Sequence, residues 1–371
     1  MKKNNYLKYV VLIGMVFVIY FISQRLGSEP IENLIIQPGV GYDIEKDSKG
    51  NEEYEASASI YIFEGSEVSS MLFTSKSSTA VGTRQERQKK LNKRFILGFE
   101  KVYIFGEDMA KFGTRNILDP LLKNPWVNDN GFIVVCKGKA KDVLKLKIKG
   151  QPSSADYIDG LINNSKYQGF FSRKYALIDM YKHVDAEGLN FVAPYIEIKD
   201  EGVEITGLAI FNKDKMVTKL DMDDSRVLNM LREDDGLGIL EVIESPEKYA
   251  SINATSKRKA ECTRENDKYK FTISLDFKGE VIANQLYPGM MINPEVEKEF
   301  ADDLERQVKS KCKKFIDKMQ NDYKIDMLNL GSTAASKYGR HSGADWNEEV
   351  SNADIEIDVK VTIESHDRGN Y

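Results

Sequence analysis

The clearest regularity along the chain is a set of apolar residues at spacings of three and four: Val296, Phe300, Leu304, Val308, Cys312, Phe315, Ile316, Met319, Tyr323 and Met327. The spacing predicts a helix of about thirty residues with one buried stripe. Asn293 is placed to cap its start, with Pro294 at the first helical position. Strict alternation at Ile355, Ile357, Val359, Val361 and Ile363 predicts a strand with one wet face and one apolar face free to pack on that helix. Further sheet candidates lie at 250–258 and 268–282.

Upstream, strand and helix patterns intermix. Residues 31–42 and 54–63 read as a hairpin joined by the polar turn 46–51. Helix formers dominate 68–91, ending in a basic run that reads as a solvated helix face. A buried strand is expected over 95–105, a short helix at 107–110 and an apolar strand at 132–136. Residues 152–181 carry a helical pattern, followed by a meander at 191–199, 203–211 and 215–220 and a helix over 223–232. The acidic cluster Asp221, Asp223 and Asp224 lacks the loop of an EF-hand, so it reads as capping that helix and complementing its dipole. The fold class expected is α+β: an anchor helix, then a multi-lobed mixed α/β ectodomain ending in a long helix packed on an antiparallel-rich sheet. The expected divisions are 1–28, a cytoplasmic start and transmembrane signal anchor, and lobes at 29–150, 151–244 and 245–371.

One segment lacks periodicity because it is apolar throughout. Sixteen uncharged residues lie between Lys8 and Arg25, including the run Tyr9-Val10-Val11-Leu12-Ile13-Gly14-Met15-Val16-Phe17-Val18-Ile19-Tyr20-Phe21-Ile22. As a helix, residues 9–24 span about 24 Å, slightly short of the ~30 Å hydrocarbon core, a gap that snorkelling of Lys8 and Arg25 can cover. A cleaved signal peptide, an uncleaved signal anchor and a buried core helix compete here. The basic start favours an export signal over a core helix. Ser23-Gln24-Arg25-Leu26 offers no small-residue pair for cleavage, which favours the uncleaved anchor. Lysines on the N-terminal flank place that end in the cytoplasm and the body outside.

Composition sharpens this division. The 371 residues carry 53 basic and 58 acidic side chains, a net charge of −5. Lys2, Lys3, Lys8 and Arg25 precede every acid, so the rest holds 49 basic against 58 acidic residues, or −9. An acidic body without a basic stripe argues against nucleic acid as a partner. Cys136, Cys262 and Cys312 form no C-x-x-C, and with three scattered histidines they give little basis for a zinc site. They read as buried small side chains. Gly39-Val40-Gly41 opens like a dinucleotide fingerprint, but Ile44 stands where its third glycine belongs. No P-loop, H-E-x-x-H or G-x-S-x-G motif occurs. The reading is a non-enzymatic protein with no catalytic, metal-binding or cofactor-binding residues and no cofactor.

Six segments, taken in order, resemble blocks of the Ger(x)C family of germinant receptor C proteins. Residues 31–43, I-E-N-L-I-I-Q-P-G-V-G-Y-D, look like the opening E-I-N-x-L…G-I-G-I-D. Residues 93–110, K-R-F-I-L-G-F-E-K-V-Y-I-F-G-E-D-M-A, look like G-H-x-x-x-x-I-I-G-E-x-L-A, with Phe99 in place of the family histidine. Residues 117–125 resemble I-L-D-F-L-x-R-D-P, and 137–144 resemble K-G-x-A-x-D-I-L. Residues 207–217 match G-x-A-V-F-x-x-D-K-L-V, and 324–331 resemble the K-x-D-I-F-G-F-G that closes the long helix. Members are typically lipoproteins with a cysteine ahead of the opening strand, a position that by register is Arg25 here. The apolar N-terminal run is therefore expected to take over the anchoring.

The resemblance implies a three-lobed ectodomain on the outer face of the spore inner membrane. It would assemble with integral membrane subunits, one A-type and one permease-like B-type, to trigger germination in response to nutrients. The alternative is a membrane-tethered solute- or cell-wall-binding receptor acting without permease-like partners. An enzyme ranks third and would need a cleft with converging carboxylates.

Overall fold

The computed structural model describes residues 5–25, 33–172, 174–200, 202–265, 268–341 and 343–366. The chain begins with α1 (Asn5–Arg25), β1 (Leu34–Ile36), β2 (Gly39–Lys46), β3 (Glu52–Glu64), β4 (Glu67–Ser77), α2 (Ala80–Gln88) and β5 (Arg94–Ile96). It continues with β6 (Val102–Gly106), α3 (Glu107–Phe112), α4 (Arg115–Leu122), β7 (Phe132–Cys136), α5 (Ala140–Lys145), α6 (Ser154–Ser165) and α7 (Leu177–Val184). Then come β8 (Val192–Lys199), β9 (Gly202–Asn212), β10 (Lys215–Leu220), α8 (Met222–Arg232), β11 (Gly236–Ser245), β12 (Lys248–Glu265) and β13 (Lys268–Asn284). The remainder is α9 (Pro294–Lys318), a π-helical turn (Met319–Tyr323), α10 (Leu330–Tyr338), α11 (Trp346–Ser351) and β14 (Asp354–His366).

The first sheet has eight strands in the order β10-β9-β8-β7-β6-β2-β3-β4. Its centre, β2-β6-β7-β8, is parallel, and both margins are antiparallel. The central strands are continuous apolar runs because both faces are covered. Alternate side chains go to opposite sides: Val102, Ile104, Val134 and Cys136 pack with Val143 and Leu144 of α5 and Ile158 of α6. Tyr103, Phe105, Ile133 and Val135 pack with Met109, Ile117 and Met180 of α3, α4 and α7. The strands of this sheet are drawn from residues 39–220.

The second sheet, β11-β12-β13-β14, is antiparallel except for the parallel pair β13-β14. Phe300, Leu304, Val308, Cys312, Phe315 and Ile316 of α9 are buried in its core, and Asn293 accepts the N–H of Glu295 as the N-cap. The packed face of β14 includes buried Ile357 and Val361. Asp221, rather than Asp223 or Asp224, caps α8, accepting the N–H of Asp224 at 2.9 Å.

Four expectations are corrected. The helix expected over 68–91 is a strand in its first half: β4 forms the sheet margin, where pairing with β3 overrides the propensity of its serines and leaves much of it exposed. The single strand expected over 95–105 is two, β5 and β6, separated by Gly98 at φ 99°. The helix expected over 152–181 breaks into α6 and α7 around Phe170, which sits at φ 59° with its side chain buried. Finally, among the described residues no helix is long and apolar enough to cross a membrane, so the transmembrane span expected over 9–24 is not met. The apolar run whose side chains are described, Tyr9 to Phe21, amounts to about 20 Å of helix against a hydrocarbon core of about 30 Å.

Candidate functional sites

Helix α1 presents apolar side chains on every face. From Val10 to Phe21 the large side chains are 52% to 65% exposed. A helix in water normally turns a polar face outward, and this one has none between Tyr9 and Phe21. The side chain of Ile22 and residues 1–4 and 26–28 lie outside the described residues.

Three of the sequence blocks meet at one buried carboxylate. Gly39 and Gly41 of β2 let the strand lie against α5 and α6: a Cβ on Gly39 would come 2.6 Å from Ala155 Cβ, and one on Gly41 2.9 Å from Ala140 Cβ. That approach brings Asp43 to the start of α5, where its carboxylate accepts the N–H groups of Ala140 (2.8 Å) and Lys141 (3.0 Å). Gly106 of β6 leaves space for the same carboxylate. Burial raises Asp43 to about 6 in spite of these donors. Because the folded value lies above the ordinary one, its stabilising contribution is full below about pH 4 and is lost as pH rises through about 6. Urea unfolding of wild type and Asp43→Asn should therefore show the wild-type advantage shrinking by about 2–3 kcal/mol between pH 4 and pH 7. A difference that stays flat or grows would refute the assignment.

The block at 324–331 builds a second buried centre, where the two sheets join. Lys324 and Asn329 adopt positive φ (52° and 58°), wrapping the chain around the Asp326 carboxylate, which accepts the N–H groups of Leu328 (3.0 Å) and Gly331 (2.7 Å). Burial holds Asp326 above the usual carboxylate range. Arg232, at the end of α8, donates to Met327 O at 2.6 Å, Asn190 O at 2.7 Å and Glu233 Oε1 at 3.2 Å. Asn190, just before β8 of the first sheet, donates to Asp326 O (2.9 Å) and Asn347 Oδ1 (2.8 Å). Arg258 of β12 reaches Leu231 O at 2.6 Å. One network thus ties the first sheet, α8 and the second sheet together.

Between α8, α9 and the margin of the second sheet runs an open groove of about 1370 Å³. Val227, Met230, Leu240, Leu304, Val308 and Phe315 supply apolar lining, and Lys311, Lys314, Asp317 and Asp322 are among its charged lining residues. Lys318 Nζ donates to Asp224 Oδ2 at 2.7 Å, closing part of the rim. Such a groove suits a polypeptide segment or an amphipathic ligand. Sequence reasoning missed it, since its lining comes from separate segments between 167 and 322. Among the described residues, no three His, Cys, Asp or Glu side chains gather as a metal would require. All three cysteines are free and buried.

Residues 27–198 match the family described as "Spore germination protein N-terminal domain". Residues 206–367 match "Spore germination B3/ GerAC like, C-terminal". The chain belongs to the Ger(x)C family of spore germination receptor C proteins. It is similar to spore germination protein GerQC of Bacillus cereus, 23% identical over 341 residues, which is 90% of this chain and 92% of the relative. Spore germination protein YndF of Bacillus subtilis (strain 168) is 23% identical over 279 residues, 71% of this chain and 66% of the relative. The crystal structure of the GerBC protein shares the fold, with a TM-score of 0.53 at 16% identity, covering 87% of this chain and 97% of that one. In this Ger(x)C chain Phe99 stands 51% exposed in the link from β5 to β6, and Arg25 ends α1.

Proposed function

We propose that this chain is a non-enzymatic C subunit of a nutrient germinant receptor. In this reading α1 holds it at the spore inner membrane, and the body assembles with integral membrane subunits, A-type and permease-like B-type, to trigger germination. The observation that carries the membrane attachment is α1 itself, apolar on every face and exposed from Val10 to Phe21. A helix of this kind gains by leaving water, whether by insertion alone or with local thinning of the bilayer and snorkelling of Lys8. Where α1 inserts in this way, Lys2, Lys3 and Lys8 on its N-terminal flank favour a cytoplasmic N-terminus and a body on the outer face.

Affinity purification of the full chain from detergent-solubilised spore membranes tests the assembly. Recovery of two integral membrane subunits in stoichiometric amounts is the expected result. Recovery of the body alone would favour a tethered solute- or wall-binding receptor.

A further inference from the structure

The order of the second sheet leaves β11 at its margin, with β12 on one side only. Antiparallel pairing turns the backbone groups of successive residues alternately toward and away from the neighbouring strand. Leu237 faces away from β12, because its carbonyl accepts the N–H of Phe170 at 2.9 Å. Gly238 makes room for that neighbour: a Cβ there would come 2.5 Å from the Phe170 ring. By the same alternation the N–H and C=O groups of Ile239, Glu241 and Ile243 face outward, and among the described residues no backbone group pairs with them. Folded proteins usually blunt such margins with charge, proline or a covering segment. Here the cover stops at Leu237. Beyond it stand two exposed isoleucines, Ile239 at 54% and Ile243 at 59%, with Glu241 between them.

The groove straddles this margin. Leu240, Leu304 and Val308 line it from the packed side of the sheet, and Ile239 and Asn253 line it from the open side. We propose that β11 takes on a fifth strand: an extended segment of a partner polypeptide with a basic residue flanked, two positions away on each side, by apolar ones. The unpaired backbone groups specify an extended chain. Ile239 and Ile243 select apolar residues opposite them, and Glu241 selects the basic one. The intervening side chains of the added strand face Leu304 and Val308, so they are apolar too. A second copy fits less well, because antiparallel pairing of two β11 strands about Glu241 sets like charges face to face.

The test uses the full chain in detergent and a labelled peptide, Thr-Ile-Val-Lys-Val-Ile-Thr, with a twin carrying Glu in place of Lys. The lysine peptide should bind about fivefold or more tighter than its twin, and Glu241→Lys should invert that preference. Glu241→Pro removes an outward N–H that β12 does not use, so the sheet keeps its ladder and melting temperature while binding is lost. Binding unaffected by Glu241→Pro, indifference to the peptide's charge, or no binding of either peptide at about 1 mM overturns the proposal. So does a dimer of the full chain that Glu241→Pro dissolves, which would make a second copy the occupant. That the donor strand belongs to a receptor subunit rests on the assembly reading. A chain that binds the peptide yet purifies from spore membranes alone refutes the assembly and leaves the strand site standing.

Discussion

Replacing Ile13 and Val16 with arginine should move the protein from the membrane fraction to the soluble fraction. Both side chains lie in the apolar run of α1, exposed at 58% and 60%. Each arginine near the middle of an inserted helix costs about 3 kcal/mol on insertion scales, so the pair costs about 6 kcal/mol, or about four orders of magnitude in partition. The measurement is the ratio of protein in the pellet and supernatant of a membrane flotation, with Ile13→Leu/Val16→Leu as the control that keeps the helix apolar. If the double-arginine variant still floats, something in the body binds the membrane and α1 is not the anchor.

The second large effect concerns stability. Arg232→Ala should destabilise the fold by about 3–5 kcal/mol, because it leaves two buried carbonyls without their donor and the buried Glu233 carboxylate with only the exposed Lys174, 3.4 Å away, as its cation. Arg232 is only 9% exposed, and it serves Met327 O, Asn190 O and the Glu233 carboxylate at once. Lysine offers one compact ammonium in place of a planar fork, so Arg232→Lys should recover little of the loss. Arg226, exposed and only 3.9 Å from Asp223, is the control. Its alanine variant should stay within about 0.5 kcal/mol of wild type. Guanidinium unfolding of the three variants decides this, and a loss under about 1 kcal/mol for Arg232→Ala would mean that the joint does not depend on this side chain.

What could be read before folding was known follows a physical line. The α9 stripe and the β14 alternation were legible because each element buries one face, so its period is written into its own residues. The margins were not. β4 is polar along much of its length, and it is a strand only because β3 offers it a ladder. β11 went unrecognised because Gly236 and Gly238 weaken its strand signal, and the Phe170 ring beside Gly238 comes from another part of the chain. Of the candidate sites, α1 was visible as composition alone. Asp43 and Asp326 lay in segments noticed for their resemblance, and only the fold explains them: each carboxylate collects backbone N–H groups that no linear pattern displays. The groove draws on residues from 167 to 322.

The parallel pairing of β13 with β14 bears on how the chain folds as well as on its shape. β13 ends at Asn284 and β14 begins at Asp354, so the connection that this pairing closes carries α9, α10 and α11. Until β14 arrives, the stripe from Phe300 to Ile316 lacks one of its walls, and β13 stands as an open margin. Closure over such a separation is slow, and half-covered stripes and open strands are the surfaces through which folding intermediates aggregate. A ribosome stalled before Asp354 would therefore release a client for chaperones and proteases, not a shorter working protein.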